Sequence, residues 1–255
     1  MIIKIINSNQ ILSYSPTWSR KKYFSYTQEG EFMQKNNFDE GFSLDLVQTA
    51  FFDGVLEIPK IEPPAKIIVP PAMIPFTKRN RSENFSECLV FYEHDVTFAE
   101  IIRNPDELKD DILKFSFMTT PDNSLYRDAP LIVQIANIYR NRAIGHFFQK
   151  QGAYVITNVR WGDERSYTTK VLPEKFAFLG VPKNSIVSVG TYGCISGKEN
   201  KHYFREGLEA MLDELNPQVV LVYGSMPKSV FDGVMHKAEF KNYSDWTSKV
   251  RKKVE

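Results

Sequence analysis

Between Cys88 and Tyr243 the chain repeats one pattern: an apolar run of strand length, a polar turn, then a longer stretch with apolar residues at helical spacing. The runs "ECLVFYEHD", "FSFMTTPD", "AYVITNV", "SIVSVG", "QVVLVYG" and "AEFKNY" read as strands. Between them, "TFAEIIRNPDELKDDILKF" predicts helix with a break at Pro105, because the proline ring removes a donor and crowds the preceding turn. "APLIVQIANIYRNRAIGHFFQKQG" carries Leu131, Ile135, Ile138, Ile144 and Phe148 at helical spacing, with Gly152 placed to end the helix. "KENKHYFREGLEAMLDELNP" predicts another helix, while "TTKVLPEKFAFLG" shows no clear period. Strands alternating with helices imply parallel βαβ units with right-handed crossovers.

Two parallel architectures fit that order. In an open, doubly wound sheet both strand faces pack against helices and are apolar; in a barrel only the outward face does, and the inward face can turn polar toward the mouth. Alternation is visible here. Phe115 and Phe117 are set opposite Ser116 and Met118, Val155 and Thr157 opposite Ile156 and Asn158, and Val187 and Val189 opposite Ser188 and Gly190. The expectation is therefore an α/β fold of parallel βα repeats forming a TIM-like barrel, irregular or incomplete because eight clean repeats are not visible. The open doubly wound sheet is the alternative.

The first sixty residues differ in character, being aromatic, asparagine-rich and charged, with one helical-looking piece at "FSLDLVQTAFF". They run into "EIPKIEPPAKIIVPPAMIPF", whose six prolines predict extended edge or linker structure. The expected organisation is an extension over residues 1–64 packing on a βα-repeat domain over residues 65–255.

With 255 residues, 42% of them hydrophobic, the chain is long enough to bury a full core. Its 32 basic and 31 acidic residues nearly cancel, so no global field recruits nucleic acid or an anionic membrane; any nucleic-acid contact is local. Cys88 and Cys194 are the only cysteines and form no C-x-x-C pair, which argues against a zinc site or a disulfide framework. The apolar start "MIIKIINSNQ" is too short for a signal peptide, and no run approaches the ~20 residues of a membrane span. The expectation is a soluble, cytoplasmic protein with no membrane partner.

In parallel α/β folds ligands bind beyond the carboxyl ends of the strands, and each such end is polar here: "YEHD", "TTPDNSLYRD", "NVRWGDERS", "GTYGCISG" and "YGSMP". Carboxylates for acid, base or magnesium chemistry are Asp122, Asp163 and Glu164, with Asp95 and His94 beside them. Arg127, Arg160 and Arg165 offer forked donors for a phosphate or carboxylate. Tyr126, Trp161 and Tyr192 offer surfaces on which a base stacks, and Asn158, Gly193 and Ser225 complete the candidate ligand contacts. Gly190, Gly193 and Gly197 suit a tight turn before a helix N-terminus that favours an anion. Their spacing matches no Walker or dinucleotide fingerprint. Each feature has a structural reading too: strand-end acids cap helices, Trp161 packs a core, and Arg160 pairs with Asp163 or Glu164 to close the barrel mouth. His146, His202 and His236 lie in helical or surface contexts where solvation is expected.

The segments "MIPF", "PDNSLYRDAPL", "IYRNRAIGHF", "NVRWGDERSY", "GVPKNSIVSVGTYGCI" and "YGS", with the strand-end acid Asp95, resemble a domain-of-unknown-function family, number 4417, of bacterial, plasmid and phage genomes. The resemblance runs from about Met73 to Tyr223. It implies an accessory protein of mobile elements and brings no assigned activity or catalytic residue.

Three functions follow from these residues. One is a hydrolase or phosphotransfer-type enzyme acting on a phosphorylated or nucleotide-type ligand at the rim, with no obligatory cofactor and magnesium as a candidate. The second is a non-catalytic protein that sequesters a nucleotide, a nucleic acid or a host protein. The third is a glycosidase-like site with two carboxylates flanking a sugar stacked on Trp161.

Overall fold

The alternating apolar runs form strands whose two faces are buried against different partners. The computed structural model describes residues 44–251. A short antiparallel pair, β1 (Phe52–Asp53) and β2 (Ile58–Pro59), precedes a seven-stranded sheet. That sheet comprises β3 (Met73–Pro75), β4 (Cys88–Val90), β5 (Phe117–Thr119), β6 (Val155–Asn158), β7 (Ile186–Gly190), β8 (Val219–Tyr223) and β9 (Glu239–Tyr243). Every neighbour is parallel and spatial order follows chain order. A doubly wound sheet requires a reversal of strand order, so the alternative reading is excluded. The sheet curls into a half-barrel with helices outside it.

Side-chain contacts report the curl directly. Tyr92, just beyond β4, stacks on Tyr223 of β8 with ring centroids 5.1 Å apart, although four strand spacings of about 4.8 Å separate those strands along a flat sheet. Tyr243 on the last strand donates its hydroxyl to the Pro70 carbonyl, 2.6 Å away, just before the first strand. No backbone ladder joins β3 to β9. Part of the space between them is taken by α7 (Trp246–Arg251): Trp246 packs beside the cluster that holds Ile74, and Lys249 pairs with Glu87 at 3.3 Å.

The outward face carries Ile74, Leu89, Met118, Val155, Val187, Val189, Val220 and Val222. They pack on α1 (Glu100–Arg103) and α2 (Pro105–Ile112), broken at Pro105 as expected, and on α3 (Leu131–Lys150) and α5 (Gly197–Leu215). Two short helices, α4 (Glu164–Tyr167) and α6 (Lys228–Phe231), complete the crossovers. The inward face starts apolar with Met73, Cys88, Phe117, Ile156, Ile186 and Val219, and turns polar toward the carboxyl ends at Tyr92, Asn158, Ser188 and Tyr223. Phe115 does not share a face with Phe117. It lies before β5 begins, where strand alternation does not apply, and joins the outward cluster with Met118.

Two further expectations change. The described part of "FSLDLVQTAFF" is a single 3-10 turn at Leu44–Leu46 followed by turn and strand, because Leu46 and Val47 are used to cover α3. His146 is not solvated: it is 2% exposed, and its Nε2 lies 3.1 Å from the Thr49 hydroxyl. α3 is thereby enclosed between the sheet and residues 44–61, and burial pulls the His146 imidazole below its ordinary value. The remainder of the N-terminal extension, residues 1–43, lies outside the described residues.

Candidate functional site

Parallel strands in chain order bring their following loops together at one rim. There the strand ends and loops enclose a cavity of about 580 Å³. Its floor is the stacked pair Tyr92 and Tyr223, with the Tyr92 hydroxyl 2.5 Å from Ser188 Oγ. Gly190 makes that floor possible, since a Cβ there would stand 2.3 Å from Tyr92 Cδ1. Its service is close packing and not a turn. The turn residues of the same loop are Gly193 and Gly197, at φ +75° and +77°, a conformation glycine adopts at no steric cost.

Asp122 and Arg160 form an ion pair in the cavity lining. Asp122 is 2% exposed and Arg160 has 18% of its side chain exposed. Arg160 meets the carboxylate with two nitrogens, Nε at 2.8 Å from Oδ1 and Nη2 against Oδ2, and its Nη1 donates to Cys194 Sγ. Asn158 Nδ2 adds a third donor to Asp122 Oδ1 at 2.7 Å. Burial pushes the Asp122 carboxyl above its ordinary value, against the pull of Arg160 and Asn158. Asn158 is anchored from behind. Its carbonyl accepts from Nη1 of Arg142 at 2.9 Å, and this fully buried α3 arginine also donates to the carbonyls of Leu179 and Ala177. Burial pulls the Arg142 guanidinium down to about 9, with Asp53 opposing.

The other predicted cations are compensated as well. Arg127 forms a 2.8 Å ion pair with Glu199, donates to Asn200 Oδ1, and lies 4.7 Å over the Tyr203 ring. Arg165 forms a fork with Asp163, whose side chain also caps α4, and donates to the Arg127 carbonyl. Arg160 therefore pairs with Asp122, and the expected partner Asp163 is taken by Arg165. Asp95 holds the neighbouring loop by accepting from Ser124 N at 3.0 Å and Ser124 Oγ at 2.8 Å.

Of the candidate residues, His94, Asp122, Tyr126, Arg127, Arg160, Trp161, Tyr192 and Gly193 line the cavity. Asp95, Asp163, Glu164, Arg165 and Ser225 do not, and Asn158 lies buried beneath Asp122 with its Oδ1 unpaired among the described residues. Trp161 is largely a core residue, packed 5.1 Å from Phe204 and hydrogen-bonded to the Tyr203 carbonyl. Tyr126 and Tyr192 are 59% and 57% exposed, and neither ring stacks on another among the described residues. No group of three or more His, Cys, Asp or Glu capable of holding a metal assembles among the described residues.

Cavity residues that the sequence reading passed over include Lys78, Glu93, Cys194, Tyr203 and Asp245. Glu93 and Cys194 sat inside loops already singled out, "YEHD" and "GTYGCISG", and their position was the available signal. Lys78 and Asp245 follow the two edge strands, which lacked a clear helical partner to mark them as repeats.

Fold and site together define an open, singly wound βα half-barrel with an aromatic-walled, charge-compensated cavity at the carboxyl ends of its strands. The chain belongs to the family described as Domain of unknown function (DUF4417), which matches residues 50–244. It is also similar to two phage proteins. One is the Gene 1 protein of Mycobacterium phage D29, 27% identical over 215 residues, covering 83% of this chain and 75% of the relative. The other is the Gene 1 protein of Mycobacterium phage L5, 28% identical over 187 residues, covering 72% and 77%. No solved structure matches the chain. No helix among the described residues is long and apolar enough to cross a membrane.

Proposed function

We propose that the cavity binds a nucleotide-type ligand through its base. The observation that carries this reading is the pair of exposed tyrosines, Tyr126 and Tyr192, on the loops after β5 and β7, both lining the cavity with unstacked faces. Base–aromatic stacking contributes about 1–3 kcal/mol per base, and a cavity of about 580 Å³ is in the range of small-molecule sites.

The carboxylates that the sequence offered for hydrolysis are otherwise engaged or lie outside the cavity, which supports binding through them less than binding through the tyrosines. A general acid or base must reach the substrate, whereas Asp122 is engaged by Arg160 and Asn158, Asp95 by Ser124, and Asp163 by Arg165. Glu164 lies outside the cavity lining. The glycosidase-like arrangement beside Trp161 loses support as well, since Trp161 packs against Phe204 and the neighbouring Asp163 is closed off by Arg165.

Calorimetric titration of the full chain with nucleosides, nucleoside monophosphates and short single strands, each with and without magnesium, tests the reading. Tyr126→Ala and Tyr192→Ala should each weaken binding about fivefold or more while leaving the melting temperature within about 2 °C, because exposed substitutions change stability little. Silence from every base-bearing ligand, or tyrosine variants that bind like the parent, would overturn it.

A further inference from the structure

We infer that Arg160 reads a guanine base in this cavity. The inference rests on the base-binding reading above and names the base. A guanidinium carries five N–H donors in a fixed plane. Among the described residues Arg160 commits Nε and one Nη2 donor to Asp122 and one Nη1 donor to Cys194. One donor on each terminal nitrogen remains without a partner, on a side chain that lines the cavity.

What those two donors select is set by the charge behind them. Asp122 already neutralises Arg160, so a phosphate or carboxylate placed there would bring a second anion toward a carboxylate that is 2% exposed. Like charges in a poorly solvated site oppose each other strongly. A neutral edge with two adjacent acceptors meets no such opposition. Guanine presents O6 and N7 side by side, whereas adenine presents N7 beside the N6 amino group, which would face an N–H with an N–H. Cytosine has adjacent acceptors at N3 and O2 but one exocyclic donor group. Guanine adds two donors, N1–H and the N2 amino group, on its other edge. The cavity supplies matching acceptors in Glu93 and Asp245, neither of which has an ion-pair partner among the described residues. Glu93 is held by Thr77 N and Oγ1, and Asp245 by Ser248 N and Oγ, so both carboxylates keep acceptor capacity without a cation.

The test is calorimetry of the full chain with GMP, IMP, AMP, CMP and 7-deaza-GMP. GMP should bind about tenfold or more tightly than AMP and CMP, the scale of one bidentate base contact. IMP, which keeps O6 and N7, should stay closer to GMP than AMP does. Replacing N7 by C–H in 7-deaza-GMP keeps the shape and removes one acceptor, and should cost about tenfold. Arg160→Lys keeps a cation beside Asp122 and removes the fork, so the ratio of GMP to AMP affinity should fall toward one. Should that variant fail to fold, the 7-deaza comparison on the parent protein decides by itself. Comparable binding of GMP and AMP, tighter binding of CMP, or indifference to N7 would overturn the inference and leave base binding intact. Absence of binding by every nucleotide would remove both. GMP against a guanine-containing tetranucleotide then separates a free nucleotide from an unpaired strand as the source of the base.

Discussion

Removing the guanidinium of Arg160 should expose how the site is held. In Arg160→Ala the Asp122 carboxylate, 2% exposed in the parent, loses both donors of the fork, leaving Asn158 Nδ2 as its remaining side-chain partner. Breaking a buried pair by deleting one partner costs about 3–5 kcal/mol, because the other charge stays desolvated. For a chain of this size each kcal/mol shifts the melting temperature by about 2–4 °C, so a fall of roughly 6–20 °C is expected in thermal unfolding followed by circular dichroism. The loss should depend on pH in a definite direction. Burial already holds the folded-state pKa of Asp122 above its unfolded value, and without Arg160 it rises further. A raised folded pKa means that stability is fully present below the unfolded value, about 3.9, and is lost as pH climbs through the folded one. The variant's deficit should therefore be smaller at pH 5 than at pH 8. The double variant Arg160→Met with Asp122→Asn, which removes both charges, should recover about 2 kcal/mol or more relative to Arg160→Met alone. A deficit below about 1 kcal/mol that is flat with pH is the behaviour of a solvated surface pair, and would refute the burial argument.

Two further outcomes test the packing of the cavity. Gly190→Ala places a methyl group 2.3 Å from Tyr92 Cδ1 and should disturb the Tyr92–Tyr223 stack, with a loss of about 1–3 kcal/mol in urea unfolding and weaker ligand binding. Under native conditions iodoacetamide should label Cys194 alone, as read by intact-mass spectrometry. Cys88 is fully buried, its thiol pushed upward by that burial, and should react only when the chain unfolds.

The fold was legible where local periodicity and tertiary role agree. The strands after Cys88 and the breaks at Pro105 and Gly152 fall where apolar spacing and turn residues put them. The polar turn of the inward face at Asn158 and Ser188 was enough to favour a barrel over a doubly wound sheet. Legibility failed before the repeat begins and again within α3. "FSLDLVQTAFF" has helical spacing, yet Leu46 and Val47 spend their apolar surface on α3 from a single 3-10 turn. α3 itself hides a polar core: Arg142 and His146 lie among its apolar positions, and His146 read as solvated, but residues 44–61 cover that face. A sequence shows the helix's own stripe; it does not show what lies across from it.

At the rim, sequence located the loops and could not assign their partners. Arg160 and Asp163 are three residues apart and make a natural local pair on paper. In the fold, Arg160 continues beyond β6 and reaches sideways to the loop after β5, because parallel neighbours set their strand ends about 4.8 Å apart. Asp163 instead turns inward as the cap of α4 and is closed off by Arg165. This exchange of partners alters the chemistry the site can perform. Three arginines free at a rim would form an anion trap. Three arginines paired with Asp122, Glu199 and Asp163 have little net charge to offer a phosphate. What remains directional is hydrogen bonding from Arg160 and the exposed rings of Tyr126 and Tyr192, and on the proposed reading those forces act on the base of a nucleotide before its phosphates.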